Sequence, residues 1–153
     1  MKWFLDTEFD DNGKTIELIS IALVSDEGRE YYAVSSEFDP GRCNDWVKAN
    51  VLPNLGTEDR RSRARIAADI SDLLLPGEPE IWGYYADYDW VAFCQLFGSM
   101  MDLPDGMPMF CNDLMQEIQM MEINRGLLPL DKNEHNALTD ARWMRAVMEV
   151  IKC

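Results

Sequence analysis

The stretch KWFLDTEFDDNGKTIELISIALVS, residues 2–25, decides the fold. Its first half is apolar at the consecutive positions Trp3 to Leu5 and then turns acidic; its second half, from Thr15 to Ser25, is dense in β-branched and aliphatic residues. Both halves read as strands. The uninterrupted apolar run marks the first as a central strand covered on two faces, since a strand solvated on one side alternates polar with apolar residues. Between them, DDNG supplies the Asn-Gly signal of a tight hairpin. SDEG (25–28) then leads into a third strand, EYYAVSS (30–36), so the first third of the chain is an antiparallel meander.

Beyond the meander the apolar period lengthens. DPGRCNDWVKANVL (39–52) contains a short helix near 43–51, and a longer helix near 60–75 carries an apolar stripe of Ile66, Ile70, Leu73 and Leu74, ended by PGEP. EIWGYY (80–85) is a fourth strand that turns into the helix DYDWVAFCQLFG, closed by Gly98. A fifth short strand is expected at PMFCN (108–112), then helices near 113–124 and 137–152. Antiparallel strands followed by β-α-β units predict an α/β fold: a mixed five-stranded sheet with helices on both faces.

The 153 residues, 47% of them hydrophobic, suit a single domain spanning 1–153 with a sizeable core. No apolar run is long enough for a membrane span, and MKWFLDTEFDD meets acid before a signal-peptide core could form, so a cytoplasmic protein with no membrane partner is expected. Cys43, Cys94, Cys111 and Cys153 lie far apart without a CxxC pair, which argues against a structural zinc site and for reduced thiols. The net charge of −14 opposes nucleic-acid binding, because affinity for phosphate comes largely from Lys and Arg. Two divalent cations held by carboxylates would answer that objection by placing positive charge where a phosphate must sit.

Asp6 and Glu8 stand at i and i+2 of a strand, so their side chains share a face and can converge on one cation. Asp140 interrupts the inward stripe Ala137, Ala141, Met144, Met148 and Ile151 of the last helix, where the helix dipole alone, about 0.3 to 1 kcal/mol, is a weak reason for a carboxylate. Asp87 and Asp89 open the helix after the fourth strand; one of them is expected as its N-cap, and the end of a strand in an open sheet is also where α/β proteins place ligands. His135, the only histidine, lies in the polar loop DKNEHN five residues before Asp140, where an imidazole can take a proton from water near neutrality. The densest basic run, RRSRAR (60–65), either contacts phosphates or solvates its helix. Phe9 is a candidate platform for a terminal base, whereas Trp90, Phe93 and Phe97 have the spacing of core residues. The ten methionines suit core filling or a dimer surface.

Taken in order, FLDTEF, YADYDWVAF and HNALTDA resemble the three motifs of the DEDD superfamily of 3′-5′ exonucleases, in the form that carries HxAxxD and hence a catalytic histidine. The longer stretches DTEF, TIELISIALVSDEGREYYAVSSEFDP, YDWVAFCQLFG and HNALTDAR are similar to the bacterial polyadenylate-specific exoribonucleases. The resemblance implies a ribonuclease H-like fold and selects Asp89 over Asp87. It implies that Asp6, Glu8, Asp89 and Asp140 hold two Mg2+ or Mn2+ ions and that His135 is the general base; Thr7 and Phe9 are the expected substrate contacts. The expected substrate is a single-stranded nucleic acid 3′ end, RNA favoured over DNA and adenylate preferred, and the expected assembly is a homodimer. Tyr85 stands where many superfamily members have asparagine, four residues before Asp89. The rival from another class is an acidic mimic of nucleic acid, which needs carboxylates spread along an exposed face and no metal.

Overall fold

A computed structural model describes residues 1–56, 60–130 and 135–151; the early part of the DKNEHN loop and Cys153 lie outside them. The first two strands, β1 (Lys2–Asp11) and β2 (Ile16–Ser25), pair antiparallel along nearly their whole length, and β3 (Glu30–Val34) pairs antiparallel with β2. The turn between β1 and β2 is wider than the Asn-Gly signal suggests. It spans four residues, with Asn12 Oδ1 accepting from the amides of Lys14 and Thr15 and Gly13 at φ 79°.

The chain then forms α1 (Asp45–Asn50), a 3-10 turn (Leu52–Asn54) and α2 (Arg63–Leu74) before β4 (Glu80–Gly83) enters parallel to β1. Helix α3 (Asp87–Gln95) follows, and β5 pairs parallel with β4. The fifth strand is only Asn112–Asp113, later and shorter than PMFCN suggests, and it ends where Asp113 caps α4 (Leu114–Met120): its Oδ1 accepts from the amides of Met115 and Gln116. Helix α4 also stops short of the expected 124, with Glu122 in the left-handed region at φ 53°. The last helix is α5 (Ala137–Ile151), and the five strands form one sheet of order β3-β2-β1-β4-β5.

Alternation along β1 assigns each residue to a layer. Trp3 and Leu5 pack with Ile21, Leu23, Ile66, Ile70 and Phe93, the layer of α2 and α3. Phe4 packs with Ala22, Val24, Leu114, Ala141 and Met144, the layer of α4 and α5. A third cluster, built on Ile19, Val34, Phe38 and Val47, seats α1. Both faces of β1 are therefore covered, which is why its apolar run does not alternate. A register irregularity between Glu8 and Phe9 pairs Glu8 with Ser20 but Phe9 with Leu18, leaving Ile19 as the extra residue of a β-bulge.

Candidate functional site

The layer rule that buries Phe4 under α5 carries Asp6 and Glu8 to the same side, two and four residues further on. There they meet Asp140 in the first turn of α5: ligand oxygens of Asp6, Glu8 and Asp140 lie within 4.8 Å of one another. Helix α5 is anchored for this by the expected stripe, with Ala137, Ala141, Met144, Met148 and Ile151 all buried and Val147 added to it. The Asn136 carbonyl receives the Asp140 amide at 3.0 Å, and the Asn136 side chain accepts from the Thr139 amide at 3.2 Å.

Thr7 has the opposite parity and points into the α3 layer. Its amide and hydroxyl both donate to Asp89 Oδ1, at 2.9 and 2.5 Å, and both residues are buried. Asp89 thus reaches the neighbourhood of Glu8 from the other layer. The expectation that Asp87 or Asp89 caps α3 is not met: Ala86 is the N-cap residue, without a side-chain cap, and its amide donates instead to Asp113 Oδ2 at 2.9 Å. Asp89, inside the first turn of α3, is held by β1 through the two Thr7 donors.

Electrostatics single out Glu8. Burial, then the charges of Asp140 and Asp89, push its carboxyl from 4.5 up to about 8. Burial also lifts Asp89, to about 6, against the lowering effect of the Thr7 hydrogen bonds. Carboxyls raised by each other's charge and by loss of water favour a cation among them, and a set of oxygens without thiolate or imidazole suits a hard divalent ion. Glu8 and Asp89, 8% and 7% exposed, also form no outward acidic face of the kind a nucleic-acid mimic requires.

His135 sits immediately before Asn136 with a left-handed backbone, φ 47°, and its ring meets Trp46 of α1 edge to face, centroids 4.9 Å apart. Phe9 stacks on Tyr88, centroids 5.7 Å apart and planes within 10°. Neither aromatic partner was legible in the sequence: Trp46 stands in a short helix far from any motif, and Tyr88 had only its position next to Asp89 as a signal.

The arginines of the basic run each have a partner within the protein. Arg61 and Arg65 both pair with Asp69 at 2.6 and 2.8 Å, Arg63 pairs with Glu17 at 3.4 Å, and Arg60 lies over Phe38. Cys43 and Cys94 are buried free thiols and Cys111 is a partly buried one. As expected for core residues, Phe93 is fully buried, with Trp90 stacked on it at 5.0 Å and Phe97 tilted against it at 5.5 Å.

Comparison with known proteins agrees with this arrangement. Residues 1–152 match the model of the 3′-5′ exoribonuclease Rv2179c-like domain. The chain is 45% identical over 148 residues to the 3′-5′ exoribonuclease Rv2179c of Mycobacterium tuberculosis, covering 93% of this chain and 88% of that protein. Among solved structures, E. coli Exonuclease I in complex with a 5cy-dA13 oligonucleotide superposes with a TM-score of 0.67 at 15% identity. Exonuclease I from Methylocaldum szegediense gives 0.70 at 12%. Each superposition covers 99% of this chain but 40% of the larger one, so the likeness is one of fold, the ribonuclease H-like sheet with its flanking helices.

Proposed function

Because the chain belongs to the family of 3′-5′ exoribonuclease Rv2179c-like domains, and is on that ground a 3′-5′ exonuclease, we propose that it trims single-stranded RNA from the 3′ end, releasing nucleoside 5′-monophosphates with divalent cations bound at Asp6, Glu8, Asp89 and Asp140. The observation that carries this reading is the convergence of Asp6, Glu8 and Asp140 within 4.8 Å around a glutamate raised to about 8. Asp89, fixed by Thr7, completes the set from the opposite layer.

Two Mg2+ or Mn2+ ions at such a site would supply Lewis acidity to the attacking water and to the departing 3′ oxygen. The chain's own residues do the remaining work. His135, placed just ahead of the helix that carries Asp140, takes the proton of the attacking water. Phe9, backed by Tyr88, offers its ring to the terminal base, a contact that tolerates any base and so leaves adenylate preference to polar groups. Thr7 serves the substrate through Asp89, since its hydroxyl is committed to that carboxylate. RNA rather than DNA is favoured by the activity for which the M. tuberculosis relative is named.

A homodimer working in the cytoplasm completes the proposal. Its support is that Met101, Met120 and Leu130 are 78%, 81% and 91% exposed, and that no helix among the described residues is long and apolar enough to cross a membrane. Incubating 5′-labelled RNA and DNA oligomers, with adenylate or uridylate tails, in magnesium or in chelator tests the whole reading. Stepwise shortening of RNA only in magnesium is the expected result; shortening in chelator, or binding without shortening, refutes it. Light scattering at assay concentrations checks the dimer.

A further inference from the structure

The histidine loop is not an independent arm of the site. Asn136, next to His135, donates from Nδ2 to the Asn54 carbonyl at 2.7 Å, which ties the start of α5 to the 3-10 turn after α1. The other end of that segment is tied to the first strand. Asp10, two residues beyond Glu8, accepts at Oδ1 from the amide and the side chain of Asn44, at 2.9 and 2.7 Å. Asn44 in turn caps α1 by accepting from the Val47 amide at 2.9 Å, and Val47 is buried in the cluster with Ile19 and Phe38. Residues 44–54 therefore form a strut between the end of the acidic strand and the histidine loop, and Trp46 is the side chain of that strut that touches the imidazole.

Two features of the contact need a reason. His135 holds a left-handed backbone at φ 47°, a conformation that disfavours a side chain and persists only where surroundings impose it. Trp46 is 55% exposed, a large apolar ring left half in water although its neighbour Val47 is buried. Core packing explains neither. The edge-to-face contact at 4.9 Å gives the half-exposed indole a role, since it limits the rotations open to an imidazole whose backbone is already held in one conformation.

We infer that Trp46 is a positioning residue for His135, holding the imidazole in the orientation needed to take a proton from water, so that α1 belongs to the catalytic apparatus although it carries none of the DEDD motifs. The inference rests on the reading of His135 as the base. Losing one aromatic contact to a loop side chain is expected to lower the productive population by about tenfold at most.

The test is a double-mutant cycle on the magnesium-loaded enzyme, measuring kcat and KM on an RNA oligomer for Trp46→Ala, Trp46→Phe, His135→Ala and the pair Trp46→Ala/His135→Ala. Trp46→Ala is expected to lower kcat about three- to tenfold with KM changed less than about twofold; Trp46→Phe should restore most of the loss, because an edge-to-face partner remains. In the His135→Ala background, Trp46→Ala should have no further effect. A matching thermal midpoint for Trp46→Ala and the native chain is expected from the exposure of the ring; if the midpoint drops, Trp46→Phe carries the comparison. Unchanged kcat in Trp46→Ala overturns the inference. So does a rise in KM alone that persists without the histidine, which would make Trp46 a base platform. His135→Ala turning over at the native rate overturns the base assignment itself, and the inference with it.

Discussion

Replacing Glu8 with glutamine should stabilise the metal-free protein while abolishing its activity. The carboxyl of Glu8 is raised from 4.5 to about 8, chiefly by burial and then by Asp140 and Asp89, so the folded chain holds a proton there that the unfolded chain gives up near 4.5. A raised carboxyl contributes its stability in full below about pH 4.5 and loses it progressively up to about pH 8, at about 1.4 kcal/mol per pH unit. Near pH 7 the accumulated loss is about 3 kcal/mol. Glutamine has nearly the same shape and nothing to ionise, but its buried amide lacks assured partners, a cost of about 1 to 2 kcal/mol. The expected net gain is therefore about 1 to 2 kcal/mol near pH 7, shrinking to nothing or reversing below about pH 4.5. Urea titrations in chelator across this range measure it, and repeating them in magnesium should stabilise the native chain more than the variant. A variant less stable than the native chain near neutrality in chelator, or a difference that does not change with pH, would refute the idea that these acids crowd one another for want of a cation.

Three further outcomes follow from the packing around the site. Thr7→Val removes the hydroxyl donor that Asp89 Oδ1 receives at 2.5 Å but keeps the amide, so stability should fall by about 1 to 2 kcal/mol and magnesium affinity by about tenfold or more, read by urea titration and calorimetry. Arg61→Ala breaks the 2.6 Å pair with the partly buried Asp69, and should cost about 1 kcal/mol in thermal denaturation while leaving the KM for RNA unchanged; a raised KM would reinstate the basic run as a substrate contact. Gly83→Ala would set a new Cβ 2.6 Å from that of Ala86, at the junction that launches α3 toward Asp89, and a loss of about 1 to 3 kcal/mol in urea denaturation is expected.

The sequence by itself determined the order of the elements and the facing of the three acids Asp6, Glu8 and Asp140. The consecutive apolar residues Trp3, Phe4 and Leu5 marked β1 as central, and a period of two then put Asp6 and Glu8 on one face. The stripe of α5 likewise fixed which side Asp140 faces. These features were legible because they depend on local periodicity, which the chain carries within a few residues. Tertiary structure alone decided the rest. Thr7 and Asp89 are 82 positions apart, and nothing in the spacing of either says that the hydroxyl of one is spent on the carboxylate of the other. The diversion of Asp113 to the Ala86 amide, the pairing of Arg63 with Glu17, and the meeting of Trp46 with His135 are of the same kind. Each is a contact between distant segments whose partner is chosen by how the layers pack, and packing is a property of the folded whole that no window of sequence contains.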